Sequence, residues 1–120
     1  MWLQYGLFLQ QKQEYAGVFA AFERAKALAV DGPEVFMSTI YQIGRSAAVL
    51  SMTNIEQGIA ALSLYEQRYD GPNEYPEIEW ALARRAQLHQ LNADQKQFEQ
   101  YIEKAAKSTN QDLHDLLKTL

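Results

Sequence analysis

Residues 41–65 read Tyr41-Gln42-Ile43-Gly44-Arg45-Ser46-Ala47-Ala48-Val49-Leu50, then Ser51-Met52-Thr53-Asn54, then Ile55-Glu56-Gln57-Gly58-Ile59-Ala60-Ala61-Leu62-Ser63-Leu64-Tyr65. Two apolar segments with helical spacing flank a short break. That is the pattern of an antiparallel helix pair. Gly44, Ala47 and Ala48 on the first arm, with Gly58, Ala60 and Ala61 on the second, have little or no side chain. Two backbones built this way can approach closely.

Working outward, the same reading extends over the whole chain. Trp2, Tyr5, Gly6 and Leu9 fall at i, i+3, i+4 and i+7, one face of a helix running to about Lys12. A second helix from about Glu14 to Ala29 places Tyr15, Val18, Phe19, Phe22, Ala25 and Leu28 inward. Asp31-Gly32-Pro33 stops it, and Pro33 suits the first position of a third helix reaching about Leu50, with Glu34 favourable in its first turn. Thr53-Asn54-Ile55-Glu56 fits a capping box for a fourth helix, which Asp70-Gly71-Pro72-Asn73 ends after about Tyr69. Pro76 opens a fifth helix with Glu77 and Glu79 in its first turn and Ile78, Ala81, Leu82, Ala86, Leu88 and Leu91 as its apolar positions. Asn92-Ala93-Asp94-Gln95 caps a sixth, which buries Phe98, Tyr101, Ile102 and Ala105. Ser108-Thr109-Asn110-Gln111 starts a seventh with Leu113, Leu116, Leu117 and Leu120. No segment sustains the alternation of a strand, so the expected class is all-α.

Bulk properties narrow the job. A chain of 120 residues fits one domain with a real core. Its formal net charge of −4 argues against a nucleic-acid partner, which requires a basic footprint. The absence of cysteine removes disulfides, thiolate catalysis and thiolate metal sites. No apolar run approaches the roughly 20 residues of a membrane span, and Met1-Trp2-Leu3-Gln4-Tyr5 lacks the basic start of a signal peptide. A soluble chain is expected, cytoplasmic or periplasmic. Because Trp2 already lies inside a helical pattern, the expectation is also of a domain from a longer protein.

An internal repeat runs through these helices. Asp31-Gly32-Pro33 recurs 39 residues later as Asp70-Gly71-Pro72, and helix-pair repeats of about 34 to 47 residues mean a solenoid. Trp2, Gly6 and Leu9, then Val18, Phe22 and Ala25, resemble the tetratricopeptide (TPR) pattern of W-x2-L-G-x2-Y, A-x3-F and P. The middle pair matches with Gly44, Gly58, Leu62 and Tyr65, two residues longer between its arms, and the third with Ala86, Phe98, Ile102 and Ala105. The middle pair is also similar to that of bacterial repeat proteins with a Tyr-Gln-x-Gly-Arg segment. The repeats are degenerate. Their periods are 38 (Gly6 to Gly44) and 42 (Gly44 to Ala86), and the third pair has alanine for glycine and isoleucine for the aromatic.

The resemblance implies a right-handed α-solenoid of three helix–turn–helix pairs, at about 2–30, 33–69 and 76–107, closed by a capping helix at 109–120. It implies a protein–protein interaction module, in which the first helix of each pair lines a concave groove for a peptide or protein. By position those lining residues are Gln4, Leu7 and Gln11, then Ser38, Tyr41, Gln42 and Arg45, then Trp80, Arg84 and Gln87. Tyr41, Gln42, Arg45, Trp80, Arg84 and Gln87 form the candidate partner site, since arginine forks grip carboxylates and aromatic rings anchor interfaces. The plainer alternative is that both arginines pair with nearby glutamates and that Trp80 packs between repeats. The lysine and asparagine clamp by which some TPR domains hold a C-terminal carboxylate is not reproduced: its places hold Leu3, Leu7, Gln42, Trp80 and Arg84.

Chemistry is a poor fit. His89 and His114 lack metal-ligand spacing, and His89 is expected at a helix surface. Glu66, Glu99 and Glu103 read as a solvated face. No strand precedes a phosphate-binding glycine loop. No catalytic residue, metal or cofactor is expected. A structural or homo-oligomerising segment of a larger repeat protein is the alternative to a binding module, with an enzyme a distant third.

Overall fold

The computed structural model describes residues 2–12, 15–28, 33–49, 54–71 and 76–120. Those residues form seven helices and no strand: α1 (Trp2–Gln11), α2 (Tyr15–Leu28), α3 (Pro33–Val49), α4 (Ile55–Arg68), α5 (Ile78–Leu91), α6 (Gln95–Ala105) and α7 (Gln111–Lys118). The side chains of Trp2, Leu3, Gln4, Tyr15, Leu28 and Glu34, the Asp31-Gly32 turn, Thr53 and Pro72-Asn73 lie outside the described residues.

Each helix packs on the next from α1 to α6, and α5 also touches α3 and α7. Hydrogen bonds from Gln10 to Gln42 and Ser46 tie α1 to α3 as well. Odd-numbered helices therefore neighbour one another from end to end. The radius of gyration, 13.6 Å, is about that of a close-packed chain of this length.

Glycine sets the crossings of the first two pairs. A Cβ on Gly6 would lie 2.5 Å from Cε1 of Phe22, and one on Gly44 would fall inside the Leu62 side chain. The ring or isobutyl group of the partner helix thus occupies the space a side chain would need. Gly58 makes the reverse approach, where an added Cβ would meet Ala47 Cβ at 2.5 Å and Leu88 Cδ1 at 3.0 Å. Ala86, at the corresponding place in α5, is fully buried. The main core joins Val18, Phe22, Ile40, Ile43, Leu62, Tyr65 and Leu88. A second, small cluster of Ala83, Ala105 and Leu113 seats α7, with Leu116 and Leu117 packed against it. Burying each large aliphatic or aromatic group contributes about 1.5–3 kcal/mol.

The ends of the helices depart from expectation in two places. Asn54 is the N-cap of α4 without a side-chain cap bond, and its side-chain amide donates to Gln57 Oε1 at 2.8 Å. α5 starts at Ile78 with Glu77 as N-cap, two residues after Pro76. The other caps follow the sequence. Asp94 accepts from the Gln97 N–H at 3.3 Å, and Asn110 accepts from the Leu113 N–H at 3.2 Å.

Two side chains expected at the surface are drawn inward, His89 into the core and Glu66 to partial burial. His89 is 6% exposed and stacks on Tyr101 with ring centroids 5.4 Å apart. Glu66 is bound at 2.7 Å by Arg85, which lies over the Tyr101 ring and whose Nη2 donates to His89 Nε2 at 3.3 Å. The reason is shared. α5 is enclosed by α3, α4, α6 and α7, so polar groups on its far side meet other helices rather than water.

Candidate functional site

The groove between α3 and α5 is built from two helical faces. On α5, Pro76, Trp80 and Arg84 follow at i, i+4 and i+8, so they stack along one side of the helix and its approach. On α3, Tyr41, Gln42 and Arg45 fall within one turn of each other. These residues and Glu77 line an open cavity of about 550 Å³. Tyr65 braces two of these lining residues, since its hydroxyl donates to the Pro76 carbonyl and its ring sits 5.9 Å from that of Tyr41.

Arg84 is 9% exposed and well anchored. Its Nε donates to the Tyr41 hydroxyl at 3.2 Å, its Nη1 donates to Gln87 Oε1 at 2.8 Å, and its guanidinium lies 5.7 Å from the Trp80 ring centroid. Arg45 is positioned from the other side. Its Nη1 donates to Gln10 Oε1 at 2.5 Å, while the Gln10 amide donates to Ser46 Oγ at 2.8 Å and Gln42 Oε1 at 3.3 Å. Every partner of both guanidiniums is neutral. Among the described residues, neither arginine has a carboxylate within ion-pair distance. Burial first, and then the positive charge of Arg84, lower the Arg45 pKa from its ordinary value. Two cations are therefore held close together, partly out of water, with no ion pair to a carboxylate among the described residues. Oriented donors at low local polarity attract anions strongly.

The structure brings Tyr41, Gln42, Arg45, Trp80 and Arg84 into one cavity, and Gln87 stands behind Arg84 as its hydrogen-bond partner. Trp80 does both things expected of it in the alternatives: it lines the groove and packs against both core clusters. From the first pair the arrangement differs. Gln11 is exposed and Leu7 packs on the core, whereas Gln10 points to α3 and positions Arg45. Gln10, Ser46, Pro76 and Glu77 were not among the site residues expected from the sequence, which placed Pro76 and Glu77 only at the start of α5. Glu77 had a signal, because it lies three residues before Trp80 and seven before Arg84 on the same helical face. Gln10 and Ser46 had none, since their role depends on the α1–α3 approach.

Among the described residues no group of three or more histidines, aspartates and glutamates could hold a metal ion. No helix among them is long and apolar enough to cross a membrane. Comparison with family models, with curated proteins and with solved structures finds no match to this chain.

Proposed function

We propose that this chain is a protein–protein interaction module, a TPR-like α-solenoid of three helix pairs and a capping helix, that holds a peptide or protein partner in the groove between α3 and α5. The observation that supports it most is the pair Arg45 and Arg84, fixed by neutral partners beside Tyr41 and Trp80 and ion-paired to no carboxylate among the described residues. The fold reading draws on the sequential helix packing, on contacts between successive odd helices, and on Gly6 and Gly44 facing Phe22 and Leu62 at repeat-related places. The partner segment is acidic. The protein's net charge of −4 does not oppose this, because charges beyond about 10 Å are screened at ~0.1 M salt and the local pair dominates.

A fluorescein-labelled peptide of alternating glutamate and leucine tests the reading. It should bind, with an affinity that falls as salt rises. The double variant Arg45→Gln, Arg84→Gln should bind at least tenfold more weakly with a flatter salt dependence, at unchanged helical circular dichroism. Equal binding by the double variant would remove the groove from the function. The structural alternative draws on Tyr5 and Phe8, each 49% exposed on α1. It predicts a concentration-dependent dimer by light scattering, where the binding module is a monomer.

A further inference from the structure

Resting on that groove reading, we infer that the anion Arg45 and Arg84 recognise is a phosphoryl group on the partner peptide rather than a single carboxylate. The donor inventory leads there. Arg45 has spent Nη1 on Gln10, and Arg84 has spent Nε and Nη1 on Tyr41 and Gln87. Arg84 Nη2 and the Nε and Nη2 of Arg45 remain, and none of these is a buried nitrogen left without a partner. They are open to solvent on residues that line the same cavity.

A carboxylate has one charge and one edge, and a single arginine fork with two parallel N–H groups satisfies it. Arg45 can offer its Nε and Nη2 edge to one carboxylate, but Arg84 cannot do the same from its Nε edge, because Nε is held by Tyr41, so a single carboxylate leaves the second guanidinium unused. The remaining donors come from two helices and converge from different directions. A phosphoryl group has three acceptor oxygens and a charge of about −1.5 to −2 at pH 7, and this matches two uncompensated guanidiniums in number and in spread. Arginine clusters are the usual readers of phosphorylated segments. Trp80 and Tyr41 give the site walls against which the flanking residue of a peptide can lie. Glu77, at the rim, opposes the anion and sets a limit on unmodified acidic sequences.

The test uses the whole chain and three fluorescein-labelled degenerate nonapeptide pools, with phosphoserine, glutamate or serine fixed at the centre, and inorganic phosphate as competitor. The phosphoserine pool should bind roughly tenfold tighter than the glutamate pool, a step worth one decade in Kd, and the serine pool should not bind. Arg45→Gln or Arg84→Gln should bring the phosphoserine pool to the level of the glutamate pool. Arg84→Lys, which keeps the charge and the fold while losing the planar fork, should fall between. Glu77→Gln should tighten phosphoserine binding severalfold. Lowering pH from 7.5 to 5.5 should weaken the phosphoserine pool alone, because its second ionisation lies near about 6. Tyrosine, glutamate and arginine, the titratable types lining the groove, ordinarily titrate outside that window. Equal affinity for the phosphoserine and glutamate pools would overturn the inference and leave the acidic-peptide reading standing. Inorganic phosphate binding as tightly as the phosphoserine pool would overturn the peptide part. No binding by any pool would overturn both.

Discussion

Gly44 and Leu62 show how much one missing side chain decides. The isobutyl group of Leu62 fills the space where a Gly44 Cβ would be, and neither it nor the backbone of α3 has room to retreat within the core of Ile40, Ile43 and Tyr65. Gly44→Leu should therefore destabilise the fold by about 1–3 kcal/mol through overpacking. A thermal melt that leaves the midpoint unchanged would refute the α3–α4 crossing. His89 gives a second prediction at this scale. Burial, then Arg85, lower its pKa from 6.5, while Asp94 and Glu66 act the other way; Tyr101, with Lys104 over its own ring, lies against the imidazole. Above pH 6.5 the imidazole is neutral in both the folded and unfolded chain, and no penalty arises. As pH falls below that value the unfolded chain takes up the proton first, so stability is lost until the folded value is passed. The melting temperature should drop between pH 7.5 and pH 5.5, and His89→Gln should flatten that drop.

At the scale of the element, the turn between α5 and α6 can be improved. Asp94 N–H donates to the His89 carbonyl at 2.9 Å and Ala93 N–H to that of Gln90 at 3.1 Å, the two bonds of a Schellman end. Ala93 occupies the left-handed position with φ 56°, where glycine is usual. An L-residue there costs roughly 1–2 kcal/mol, and the extra freedom glycine gives the unfolded chain returns about 0.4–1 kcal/mol of that. Ala93→Gly should raise stability by up to ~1 kcal/mol in urea denaturation. The bounds of the helices were legible in the sequence because proline, glycine, asparagine and aspartate mark them, and Asp94 and Asn110 cap where they were expected. The inner face of α5 was only half legible. Ala81, Ala86 and Leu88 were read as core, but Ala83, Arg84 and His89 are buried too. A helix enclosed by four others has no solvent stripe to reveal its register. The cationic pair was legible as residue types at groove spacing, whereas its lack of an ion pair among the described residues is a tertiary fact.

At the scale of the whole molecule, α7 covers the second core cluster. Leu113 is fully buried against Ala83 and Ala105, with Leu116 and Leu117 beside it. Leu113→Ala should cost about 2–5 kcal/mol, and removal of residues 108–120 should uncover the second cluster and promote association visible by light scattering. The central claim, that the face between α3 and α5 is where a partner is held, is tested most directly by a nitrogen-15 NMR titration of the arginine Nε–H and tryptophan indole N–H signals with the alternating glutamate–leucine peptide. The Arg45 and Arg84 Nε–H signals and the Trp80 indole signal should shift together and saturate at one midpoint, while Arg85, sequestered against Glu66 and Tyr101, stays still. A titration in which the peptide binds and shifts other signals, leaving those of Arg45, Arg84 and Trp80 in place, would contradict it.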